Sequence, residues 1–134
     1  MIHSLQEQFQ PETTGYSRES RASWIGSKLA QTTGLPDEQL DGLHHRIWMR
    51  ILQGDLASKP PRDEIDQLAA HIVAIATLAE AESALGGAKA AMAAVMQESG
   101  QSLDPLFAQN FVRLASSPIF WMALDSDGAK RHVG

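Results

Sequence analysis

Five histidines, sixteen acidic residues and no cysteine set the chemistry open to this chain of 134 residues. The adjacent pair His44-His45 is the first place to look for a metal. Neighbouring positions on a helix point about 100° apart, however, so the two rings do not face one ion. His71 stands alone on an apolar stretch, as a surface or boundary histidine does, and His3 and His132 sit near the two ends. Asp63, Glu64, Asp66, Glu80 and Glu82 gather on one segment, where paired carboxylates could do acid–base work. With no nucleophile and no loop beside them in the sequence, a solvated helix face is the expected arrangement. A glycine-rich loop carrying a lysine and a hydroxyl is absent, which argues against a P-loop. Zero cysteines exclude disulfides, thiolate zinc and a cysteine nucleophile. No catalytic residue, metal site or cofactor is expected.

Charge points the same way. Eleven basic residues against sixteen acidic ones give a net charge of −5. The bases are scattered, whereas a surface that tracks phosphates needs a positive stripe, so nucleic acid is not an expected partner. The longest apolar run falls far short of the roughly 20 residues of a membrane span, and no basic start leads into an apolar core as in a secretory signal. A cytoplasmic protein with no membrane partner is expected. The aromatic residues suit binding better than catalysis. Trp24, Trp48, Phe120 and Trp121 are large for a small domain and belong by default in a core. The tetrad Ile119, Phe120, Trp121 and Met122 comes after the main helices, and one domain cannot bury all four. It is the expected partner-binding patch, for another protein or a second copy of the chain.

The elements that must position these residues read as helices throughout. Residues 1–16 hold one short amphipathic piece, Ile2 to Phe9, then a cluster of turn formers, and predict a flexible arm or a short docking helix. Ser17 is an N-cap candidate for a helix running to about Thr33, with Trp24, Ile25 and Leu29 on one face and Gly34 as its stop. Pro36, Asp37 and Glu38 open a second helix that carries Leu40, Leu43, Ile47, Met49, Ile51 and Leu52 and ends at Gly54. After a linker closed by Pro60-Pro61, a long helix with Ile65, Leu68, Ile72, Val73, Ile75, Ala76 and Ala79 is expected to be the most buried. Gly86-Gly87 breaks the pattern. A short alanine-rich helix over 88–99 follows, with Met92, Val95 and Met96 inward and Gly100 as its end. Asp104-Pro105 caps and opens a helix with Phe107, Phe111, Val112 and Leu114 inward, and Ser117-Pro118 caps a last one over 119–124. No run alternates with period two. The expected fold is therefore all-α, a compact bundle of five or six helices over 17–124, with a flexible polar tail over 125–134.

Ile72-Val-Ala-Ile-Ala76, then Gly100-Gln-Ser-Leu-Asp-Pro-Leu-Phe-Ala-Gln-Asn-Phe111 and Ser117-Pro-Ile-Phe-Trp121, resemble the C-terminal half of the HD-GYP branch of the HD-domain phosphohydrolases. Arg21-Ala-Ser-Trp-Ile-Gly-Ser-Lys-Leu-Ala30 and Gly34-Leu-Pro-Asp-Glu-Gln-Leu40 are similar, more loosely, to the family's first helix and the turn into its second. The resemblance implies an HD-like helical fold, and in its relatives a centre of two or three metal ions held by histidine and aspartate. The departures fall on those ligands. Arg18 stands at the first histidine, Arg50-Ile51 at the His-Asp pair, Thr77 at the late metal-binding aspartate and Glu80 at the next family aspartate. The segment with the remaining histidines and the Gly-Tyr-Pro loop is missing between Pro61 and Ile65. Arginine does not ligate a cation, so the resemblance implies a scaffold without its reaction.

The leading expectation is a catalytically silent, HD-GYP-like module that works as an interaction or regulatory protein in bacterial signalling, as a homodimer or docked on a partner. A second is a sensor of a nucleotide or cyclic dinucleotide, with Arg18, Arg46 or Arg50 on its phosphates, because the planar guanidinium fork matches phosphate oxygens. A third is a rearranged metal-dependent phosphohydrolase that uses His44 or His45, His71, Glu80 and Asp55.

Overall fold

The computed structural model describes residues 18–54 and 60–128. Among them are five α-helices, a closing π-helical turn and no strand, as the missing period-two pattern requires. Helix α1 covers 18–31, α2 Asp37–Gln53, α3 Glu64–Glu98, α4 Pro105–Ala115 and α5 Pro118–Ala123, and Leu124–Gly128 forms the last turn. The arm expected over 1–16, the Ser17 cap and residues 55–59 of the linker lie outside the described residues.

Local chemistry accounts for the element ends. Pro36 sits at the N-cap of α2, with Asp37 and Glu38 in its positively polarised first turn. The helix stops at Gly54, whose φ of +51° leaves the right-handed region while its N–H still reaches the Arg50 carbonyl. The side chain of Asp63 caps α3 by accepting from the Asp66 N–H at 2.9 Å, and Asp104 caps α4 by accepting from the Phe107 N–H at 3.1 Å. Pro105 and Pro118 take the first helical positions, where a missing N–H costs nothing.

The two helices expected on either side of Gly86-Gly87 are present as two arms of α3 that meet at a kink. Helix α3 runs 35 residues and is interrupted only at Gly87, with φ +83° and ψ −169°. Beyond this kink, Ala91 and Val95, one turn apart, face the core and Met92 is half-buried. Met96, expected inward, is exposed, because the position next to Val95 lies about 100° round the helix. By length and composition α3 is also apolar enough to cross a membrane. Here it is the core helix: Ala69, Ile72, Ile75, Ala76 and Ala79 are wholly buried by its neighbours.

One apolar cluster joins all five helices to the closing turn. Gly26 lets α1 come close to both partners: a Cβ there would lie 2.9 Å from Ile47 Cγ2 on α2 and 3.4 Å from Ile72 Cγ2 on α3. Trp24, also on α1, meets Phe120 on α5 edge-on with ring centres 5.1 Å apart. Phe111 on α4 meets both Phe120 and Trp121 in the same fashion. Leu124, the last residue of the expected helical domain, is fully buried, and the π-helical turn that it opens carries regular backbone on to Gly128, into the stretch expected as a flexible tail.

Candidate functional site

Two carboxylates of α3 are buried where a solvated acidic face was expected. Asp66 is 9% and Glu80 4% exposed. Each is met by arginine from another helix. The guanidinium of Arg50, itself 6% exposed, forks onto Asp66, with Nη2 3.1 Å from Oδ2 and Nε 3.4 Å from Oδ1. Asp66 Oδ2 also accepts the Arg62 N–H at 3.0 Å. These donors, Arg50 foremost, hold the Asp66 carboxyl below its ordinary range. Glu80 has Arg18 Nε at 3.9 Å and Arg21 Nε at 3.8 Å. Burial prevails there and raises the Glu80 pKa against both cations. The spacing 66, 73, 80 is a heptad stripe with Val73 at its centre. This signal, present in the sequence, marks both acids as lying along the edge of the buried face.

The arginines expected as alternative phosphate contacts lie in two places. Arg18 belongs to the Glu80 end of α3 and Arg50 to the Asp66 end. Fourteen residues of helix separate the two acids, about 21 Å at 1.5 Å per residue. Arg18 is therefore no part of a site with Arg46 and Arg50. In its stead comes Arg62, which the sequence reading did not single out. A cavity of about 510 Å³ opens between the C-terminal half of α2 and the start of α3. Its lining includes His45, Arg46, Met49, Arg50, Arg62 and Asp66. Arg46 is bonded to Asp63, whose carboxyl this contact holds below its ordinary range. Asp63 is half exposed, so that partner is readily exchanged, while the Arg50–Asp66 fork is closed off from water.

The positions that the resemblance marks as former ligands are spread likewise. Thr77 is exposed, and its hydroxyl donates to the Val73 carbonyl of its own helix at 2.8 Å. Ile51 is half-buried against the core. Among the described residues, no three His, Cys, Asp or Glu side chains lie close enough together to hold a metal ion. His44 and His45 line different cavities, and the His71 ring stacks on Phe107 with centres 6.3 Å apart.

The 119–122 tetrad divides in two. Phe120 is buried, and Trp121 is half-buried with its indole Nε1–H donating to the Ala115 carbonyl at 2.8 Å. Ile119 and Met122 are 72% and 68% exposed. The aromatic pair thus belongs to the core, and only the aliphatic pair is open to a partner. No family model, curated protein or solved structure matches this chain.

Proposed function

We propose that this chain is a non-catalytic helical module that binds a phosphate-bearing small molecule in the cleft between α2 and α3. One observation carries the reading: Arg46, Arg50 and Arg62 line a single cavity of about 510 Å³ in a protein of net charge −5. That volume lies in the range of small-molecule sites. Three guanidinium groups against the carboxylates of Asp63 and Asp66 leave the cleft locally positive. A phosphate would displace the exposed Asp63 from Arg46 and engage Arg62 beside it, and the buried Arg50–Asp66 pair would fix the wall. The resemblance to HD-GYP proteins, with Arg50 of this cleft at a former ligand position, supports recognition in place of turnover and a nucleotide or cyclic dinucleotide as the ligand class.

Calorimetry with inorganic phosphate, mononucleotides and a cyclic dinucleotide tests this. Saturable binding by at least one of them, weakened in Arg62→Ala and by added salt, is expected. A panel giving no heat at high micromolar protein would overturn the reading. The exposed Ile119–Met122 pair favours a second reading, an interaction module that pairs with itself or with another protein. Light scattering that returns the mass of one chain over a wide concentration range would remove the self-pairing form.

A further inference from the structure

Arg46 and Arg62, which line the cleft between α2 and α3, both act on a carboxylate that the chain itself supplies. Asp63 Oδ1 accepts from Arg46 Nη1 and, at 2.9 Å, from the Asp66 N–H that it caps. The Arg46 contact foremost, then that N–H and the charges of Arg46 and Arg62, keep the carboxyl ionised. The contact is open to solvent, with the Asp63 side chain 53% and the Arg46 side chain 35% exposed, so dissolved anions reach it. Arg62 is exposed too and stands in no ion pair among the described residues. Asp66, by contrast, is committed to the buried Arg50 and to the Arg62 N–H.

An anion that enters the cleft therefore meets an Arg46 that already holds one. We infer that the Asp63 carboxylate keeps the place of the ligand's phosphate, and that the cleft in consequence takes phosphomonoesters in preference to phosphodiesters. This rests on the phosphate reading above and narrows it to nucleotides with a terminal phosphate. Drawing Arg46 away from Asp63 costs the same whichever ligand does it, so the charge of the ligand decides which ones offset that cost. A diester brings one negative charge, no more than the carboxylate it displaces, and a cyclic dinucleotide, built of two diesters, offers the contact only one charge at a time. A monoester brings about 1.5 to 2 at pH 7 and three terminal oxygens, enough to engage Arg46 and Arg62 together. Three arginines against two aspartates leave the cleft one positive charge to draw it in. Because Oδ1 also caps α3, Asp63 releases Arg46 while staying in place on the helix.

The test is calorimetry on the full chain with adenosine 5′-monophosphate and its 3′,5′-cyclic form, which share base and sugar and differ as monoester and diester. The monophosphate is expected to bind about tenfold more tightly or better, the effect of up to one further charge a few ångströms from a guanidinium at a partly exposed site. Asp63→Asn keeps a capping oxygen and removes the competing charge, so both nucleotides should bind several-fold more tightly while the unfolding transition is kept. Equal affinities on the unaltered protein, or a tighter cyclic form, would overturn the inference and leave the phosphate reading standing. Affinities unchanged or weakened in folded Asp63→Asn would equally overturn it, since Asp63 would then not be the competitor. If that variant does not fold, the two-nucleotide comparison on the unaltered protein decides. No heat from either nucleotide or from inorganic phosphate would instead overturn the phosphate reading itself, and this inference with it.

Discussion

Arg50 and Asp66 leave water together, and each neutralises the other's charge there. Removing one partner of a buried pair strands a charge, which costs about 3–5 kcal/mol, whereas replacing both with apolar groups is often close to neutral. Arg50→Met is therefore expected to lower the unfolding free energy in urea by about 3 kcal/mol. The double variant Arg50→Met with Asp66→Leu should cost clearly less than the sum of the singles, and additive losses would show that the pair is not closed. Glu80 behaves in the opposite sense with pH. Burial raises its folded pKa, so the folded state holds that proton more tightly than the unfolded chain does. Its favourable contribution is complete below the ordinary glutamate value and is lost as pH rises through the raised one. Asp66, held low, contributes above the ordinary aspartate value and loses that contribution as pH falls through its folded value. Glu80→Gln should then raise the thermal midpoint relative to the parent more at pH 7 than at pH 4. An equal shift at both would mean that ionisation of Glu80 is not what burial opposes.

Glycine at three points of the helices has three different consequences. At Gly26 a methyl would press on Ile47 Cγ2, and overpacking of about 1–3 kcal/mol outweighs a helix-propensity gain of about 1 kcal/mol. Gly42, inside α2, has open space where its Cβ would go, so Gly42→Ala should stabilise by about 0.5–1 kcal/mol. Gly87→Ala, with φ at +83°, should cost about 1–3 kcal/mol through backbone strain alone. Urea midpoints rank the three, and a stabilising Gly26→Ala would contradict the close approach of α1. The same element scale explains what could be read beforehand. The ends of α2, α4 and α5 were legible because Pro36, Gly54, Asp104, Pro105 and Pro118 act within one turn of themselves. The break at Gly87 was legible too, whereas the packing of the second arm through Ala91 and Val95 was not, since it depends on tertiary contacts with the core. Of the site, Arg46 and Arg50 were legible as candidates. Arg62 was hidden because a linker residue reaches the cleft only through the turn into α3, and sequence does not show which end of α3 Arg18 meets.

At the scale of the whole molecule, a single apolar cluster runs from α1 to the turn after α5, so the described helices should unfold as one unit. Leu124 is the sharpest probe of this. It lies where the sequence changes from aromatic to polar, yet it is fully buried, while its neighbour Asp125 is exposed and tied to Arg21 at 2.6 Å. An exposed ion pair contributes little beside a buried leucine. Leu124→Ala is expected to cost about 2–5 kcal/mol, and Asp125→Ala less than about 1 kcal/mol. Tryptophan fluorescence reports from α1, α2 and α5 through Trp24, Trp48 and Trp121, and far-ultraviolet circular dichroism reports on every helix. If the closing turn belongs to the common core, Leu124→Ala shifts both transitions by the same amount and they remain superimposed. If fluorescence moves ahead of helicity, α5 and its turn detach first, and Phe120 joins two separately folding pieces instead of sealing one.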